Sequence, residues 1–208
     1  MYVRARAARL AVAASAAVAA LAVAAVPAAA VPPGLSGSGA PGFLEPADLP
    51  PHPSSDWSAG PVTAGQPDPL PMCVGDALPS TSAHRRYWTE YDTGALQVTV
   101  VERDEGRAAA FAALLRDGLA DCARTLADQD PEVTATQRYY GRLDVEEGAD
   151  VFGVHTGTTW GASDVALFSV GRDGRIVTVV QWGQMGALAD APVDAFEATT
   201  VTAVGKLS

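Results

Sequence analysis

His84-Arg85-Arg86-Tyr87-Trp88, with Tyr91 close behind, is a stretch of this chain that is both basic and aromatic. Guanidinium groups present a rigid fork of hydrogen-bond donors, and an indole offers a flat polarisable face. Together they can hold an anionic or sugar-like ligand by charge and stacking. Alternation along a strand puts Arg86, Trp88 and Glu90 on one face. The competing assignment places Tyr87 and Trp88 in the core and leaves the arginines solvated. His155, which shares a strand face with Val151 and Gly153, joins Arg85, Arg86 and Trp88 as a candidate ligand-binding residue.

Catalytic patterns are weaker. His155, Asp164 and one of several serines make a triad on paper, but there is no Gly-x-Ser-x-Gly elbow to present a nucleophile. Asp144, Glu146, Glu147 and Asp150 form an acidic loop without the Asp-x-Asp-x-Asp-Gly spacing of a dedicated calcium loop, so a solvated hairpin loop accounts for them. Among 24 acidic residues some pair always resembles the two carboxylates of a glycosidase, which removes the value of that signal. No catalytic residue, metal ligand or cofactor is assigned.

The chain contains two cysteines, Cys73 and Cys122, and no Cys-x-x-Cys pair that would suggest redox chemistry. Their state depends on compartment, and the N-terminus speaks to that. Arg4, Arg6 and Arg9 precede an uncharged apolar run from Leu10 to Val26, and Ala28-Ala29-Ala30 supplies small residues for cleavage. That order predicts a signal peptide over residues 1–30 and a secreted, extracellular protein. The alternative is a membrane anchor over residues 10–31, which is the one route to a membrane. In an exported chain the two cysteines are expected to pair, closing a loop of about 50 residues. Without the three N-terminal arginines, 11 basic and 24 acidic side chains remain, a net charge of −13. Such a surface repels nucleic acid and anionic lipid.

The elements that must position these residues follow from periodicity. Residues 31–72 hold eleven of the fifteen prolines and read as a Pro/Gly/Ser-rich arm or linker, with residues 43–50 able to pack on the domain through Phe43, Leu44 and Leu49. Residues 73–208 read as the folded domain. Arg86–Tyr91 and Ala95–Arg103 around Asp92-Thr93-Gly94 predict a hairpin. Over 105–127, Ala108, Phe111, Leu115, Leu119, Cys122 and Leu126 share one helical stripe. Strands are predicted over Thr136–Arg142, Asp150–Thr156, Val165–Val170 and Arg175–Trp182, the last two joined by Gly171-Arg172-Asp173-Gly174. A final helix is predicted over Pro192–Lys206. The order β-β-α-β-β-β-β-α predicts an α+β fold: a mainly antiparallel sheet of about five to six strands with two amphipathic helices packed on one face.

Phe43-Leu44-Glu45-Pro46-Ala47-Asp48-Leu49-Pro50, the lone Cys73, the strand Leu96-Gln97-Val98-Thr99-Val100-Val101 and the helix from Ala108 through Leu119 to Cys122 occur in an order that resembles the PknH-like extracellular sensor domain family. The resemblance covers residues 43–182 and implies an α+β fold with a cleft and ligand sensing or binding at the cell surface. The family typically carries a second disulfide, for which this chain has no cysteines. The expected function is a secreted or envelope-associated, non-enzymatic, sensor-like binding domain of a bacterium. Its partner would be a small molecule or a cell-envelope component. A secreted hydrolase of an uncommon type and an extracellular protein-interaction module using the Arg85–Tyr91 strand as a free edge are the alternatives. Oligomeric state is not encoded in these patterns. Intact mass of the secreted protein is expected to show a start near Val31 and a deficit of two hydrogens; a full-length or fully reduced mass contradicts export or the bridge.

Overall fold

The computed structural model describes residues 40–208. The expected signal peptide or anchor, and the first part of the arm, lie outside the described residues. Among those described, no helix is long and apolar enough to cross a membrane.

The fold is α+β, built on one antiparallel sheet. Its long strands are β3 (Ala83–Trp88), β4 (Gly94–Val101), β5 (Val133–Leu143), β6 (Ala149–Thr158), β7 (Ser163–Asp173) and β8 (Ile176–Met185). Two short strands, β1 (Ser58–Ala59) and β2 (Thr63–Ala64), both pair with the outer edge of β3, giving the order β1-β3-β4-β8-β7-β6-β5 with β2 beside β1. The three C-terminal hairpins follow from short turns. Between β7 and β8, Asp173 faces Ile176 across Gly174 and Arg175, with Gly174 at φ 53°.

The central strands carry apolar runs rather than strict alternation: Val151-Phe152 and Val154 in β6, Val165-Ala166-Leu167-Phe168 in β7, Val179-Val180 in β8. Such strands must be buried on both faces, and they are. On one face Phe152, Val154, Ala166, Phe168, Val177 and Val179 meet Ala108, Leu115, Leu119 and Cys122 of two helices, α1 (Glu105–Ala120) and α2 (Cys122–Gln129). On the other face Val151, Val165, Leu167, Val180 and Trp182 meet Phe196 and Ala203 of α3 (Val193–Gly205). The expectation that both helices share one face is therefore corrected: the helical layers lie on opposite faces, because each face of β6–β8 has its own apolar row to cover. Gly171 permits the close approach of α3, since a Cβ there would lie 2.3 Å from Val204 Cγ2.

The single helix expected over 105–127 is two. Asp104 caps α1 by accepting from the Arg107 N–H, and the helix breaks at Asp121. Gln137 of β5 serves both sides of the break: its Oε1 accepts from Ala123 N at 2.8 Å and its amide nitrogen donates to Ala120 O. Cys122, fully buried just after the break, is bonded to Cys73 as expected, with Cα atoms 5.4 Å apart. Gly118 lets that segment approach, its missing Cβ lying 3.1 Å from Cys73 O.

The arm is not a linker over its described length. Leu44 and Leu49 are buried against Tyr87, Trp182 and Phe196 and complete the layer that α3 begins. Leu44 is held by backbone as well as side chain: its N–H donates to Gln97 Oε1 at 2.7 Å, and its carbonyl accepts from Arg85 Nη1 at 2.7 Å and the Tyr87 hydroxyl at 2.9 Å. Gln97 is itself fully buried, its amide nitrogen donating to Thr178 Oγ1. Asp48 accepts from Thr199 through its carbonyl and from Lys206 through its carboxylate. The folded unit thus begins well before residue 73, the start expected from composition.

Removing the Cys73–Cys122 bridge by a double serine substitution should lower unfolding free energy by about 4 kcal/mol, the chain-entropy value for a loop of this size, as measured by urea titration. Burial pushes the Asp48 carboxyl up, but the Lys206 ammonium and the Glu45 N–H that bond it outweigh burial and hold it below its ordinary value. Its contribution is therefore complete above the ordinary aspartate value and disappears as pH falls through the lower folded value. Thermal melts carried into that acid range should show a steeper loss for the native chain than for Asp48→Asn.

Candidate functional site

The register of the sheet creates a trench on the face that α1 and α2 cover incompletely. One cross-strand row reads Arg86, Leu96, Gln181, Phe168, Phe152 from β3 to β6. The next row toward the ends of the strands reads Trp88, Gly94, Gly183, Ala166, Val154. Two glycines and an alanine in the middle of that row leave the sheet without large side chains, and the surface dips between a tryptophan and a valine. A Cβ at Gly183 would meet nothing closer than Val165 O at 3.4 Å, an ordinary contact, so a side chain there would enter the trench without a clash at its first carbon.

The trench has two adjoining lobes. The first, about 380 Å³, lies between Pro69-Leu70-Pro71 and the strands, lined by Arg86, Trp88, Asp92, Leu96 and Gln181. The second, about 270 Å³, is lined by Met72, Asp92, Val154, Thr156, Asp164 and Met185 among others. Asp92, Gln181 and Gly183 belong to both. With neighbouring strands about 4.8 Å apart, the row from β3 to β6 spans about 19 Å. Trp88 is 48% exposed and Met185 64% exposed, while Gln181 is half-buried. The Oε1 atom of Gln181 is buried without a hydrogen-bond partner, so this amide of the trench lining is incompletely satisfied by protein.

The polar rim is anchored. Arg86 donates one N–H to Pro69 O at 3.0 Å, which leaves further donors on its guanidinium. Asp92, at the tip of the β3–β4 loop, accepts from Met185 N at 3.0 Å, and Thr93 donates to Gln184 Oε1 at 3.4 Å. These bonds tie the loop to the end of β8. The Pro69–Met72 wall runs directly into Cys73, so the disulfide fixes the wall to the helix layer.

Of the four residues that the sequence offers as ligand contacts, the structure brings two together. Arg86 and Trp88 both line the first lobe. Arg85 projects to the opposite face, where its donors bind Leu44 O, Gly60 O and the Glu45 carboxylate and its guanidinium stands 5.6 Å from the Tyr87 ring centre. It holds the arm and is not part of the trench. Burial pushes the Tyr87 phenol well above its ordinary value, against the pull of Arg85, so it stays neutral and donates to Leu44 O. His155 is also on the α3 face, on β6 four strands from β3, and lines neither lobe. Its Nε2 lies 2.9 Å from Ser163 Oγ, and that hydroxyl donates to Gly186 O at 3.2 Å. The pair closes the β6–β7 hairpin onto the end of β8, and no carboxylate is bonded to His155. His84 is buried with Nδ1 2.9 Å from Gly65 O, where it fastens β2 to β3.

The acidic loop is partly neutralised by the fold. Asp150 accepts from the Tyr139 hydroxyl at 2.7 Å and from Arg142 at 2.9 Å, and Glu147 accepts from Gly174 N at 3.0 Å. Among the described residues no group of three or more His, Cys, Asp or Glu is placed to hold a metal ion. The free β3 edge required by an interaction module through the Arg85–Tyr91 strand does not exist: Ser58, Ala59, Thr63 and Ala64 pair with it, and Gly60 N adds a bond to Arg86 O.

Sequence reasoning missed Asp92, Gly94, Gln181, Gly183 and Met185 as site residues, and raised Asp164 only as a triad partner for His155. Gly94 and Gly183 lie just outside the predicted strands Ala95–Arg103 and Arg175–Trp182, whereas β4 and β8 include them, so the sequence understated how far these strands run. Comparison with protein-family models, with curated proteins and with solved structures gives no match to this chain.

Proposed function

We propose that this chain is an exported, non-enzymatic ligand-binding domain, secreted or held at the cell envelope, whose site is the trench between the Pro69–Met72 wall and the β3–β4–β8–β7–β6 floor. One observation carries this: the trench joins an exposed indole, an arginine, two carboxylates and an incompletely bonded amide over a glycine-lined floor. That mixture of apolar lining and few convergent polar groups is what small-molecule sites share. The covalent tie at Cys73 is consistent with an oxidising compartment. The resemblance to PknH-like sensor domains points the same way, toward a cleft that reads a small molecule or a component of the envelope. The hydrolase alternative gains no support from the His155–Ser163 pair, which lacks a carboxylate and stands outside the trench.

The test is to fill the site. A thermal-shift screen of the native chain against cell-wall fragments, sugars and lipids should find a ligand that raises Tm by roughly 5–10 °C at about a hundred times its Kd. Gly183→Leu places a side chain in the open trench and should abolish that shift. Silence across the screen, or a shift that Gly183→Leu leaves intact, counts against the trench as the binding site.

A further inference from the structure

The geometry points to a neutral oligosaccharide as the occupant of the trench, an inference that rests on the trench being the binding site. Charge is the first reason. Arg86 stands at one end, Asp164 at the other, and Asp92 belongs to both lobes. An anion along the trench would lie against two carboxylates, and a cation spanning it would lie against a guanidinium. A neutral ligand rich in groups that both donate and accept can satisfy all of them. Sugar hydroxyls do so, whereas simple lipid tails would leave the three charges unpaired.

Shape is the second reason. Trp88 is directly opposite Gly94, and Gly94 opposite Gly183, so a half-exposed indole borders a strip of bare backbone. A flat aromatic beside a shallow floor suits a ring that offers a C–H face to the indole and hydroxyls at its perimeter. Gln181 lines both lobes and places an amide side chain in the wall of that space. The span of about 19 Å across five strands accommodates a row of rings rather than one. An extended peptide is disfavoured because the trench runs across the strands, where their backbone groups are already paired with one another.

The experiment uses the full secreted chain and four neutral tetrasaccharides: cello-, malto-, manno- and N-acetylchitotetraose. Tetralysine, tetraglutamate and laurate serve as non-saccharide probes. Titration calorimetry and amide and indole NMR read binding, with circular dichroism confirming that each variant is folded. The expected result is binding of at least one tetrasaccharide, with shifts at the Trp88 indole and Gln181 amide. Affinity should fall about tenfold in Trp88→Ala, fall below detection in Gly183→Leu, and change less than about twofold with added salt, as for an uncharged ligand. Trp88→Ala alters an exposed side chain and keeps the test usable if Gly183→Leu fails to fold. Binding confined to a non-saccharide probe, moving trench resonances and lost in Gly183→Leu, overturns the saccharide assignment and leaves the trench as the site. No trench-dependent binding by any probe overturns both.

Discussion

The two-sided apolarity of β6, β7 and β8 is the constraint on which the rest of the structure depends. Three adjacent strands with large aliphatic and aromatic residues on both faces cannot expose either one. One cover is supplied by α1 and α2, the other by α3. The second is too small alone, since a helix of 13 residues must shield a face that extends to Tyr87 and Ala95 on β3 and β4. The arm makes up the difference. Leu44 and Leu49 complete the layer, and the polar cost of burying the Leu44 backbone is offset by Gln97, Arg85 and Tyr87. A proline-rich segment suits this role, because it needs few backbone donors of its own and cannot compete by forming a helix.

The same arm then solves the problem of the sheet edge. A free β3 would offer unpaired backbone groups to any passing strand. The two short strands and the Gly60 bond close it. Continuing past β2, the chain crosses to the other face, forms the Pro69–Met72 wall and ends in the bridge to Cys122. One segment therefore covers a core, protects an edge and builds one side of the candidate site. The disulfide holds the wall where the helical layer stops short of the β3 end of the sheet, which is why an opening exists there at all.

Much of the fold was legible in the sequence. The helical stripe from Ala108 to Leu126, the hairpin signals around residues 92–94 and 171–174, and the last helix all correspond to elements, because each arises from local periodicity or turn chemistry. The pairing of Cys73 with Cys122 was legible too, once compartment was inferred from residues 1–30. The candidate site was half legible. Arg86 and Trp88 stood out by composition. Arg85 looked equivalent to Arg86, yet alternation sent it to the opposite face, into the clamp on Leu44. His155 was attractive by residue type alone, and its place on the far side of the sheet depends on the order β8-β7-β6.

By itself the sequence determined what depends on near neighbours along the chain: helix stripes, turns, an α+β class, and a pair of cysteines in a chain that begins like an exported one. Tertiary structure alone decided which face each helix covers, that the arm beyond residues 43–50 also belongs to the fold, and which side chains share the trench. Those outcomes depend on strand order and register between segments as distant as residues 88, 94, 183, 166 and 154. A cross-strand row assembles residues from five strands by hydrogen-bond register, and no periodicity within one strand encodes its partners.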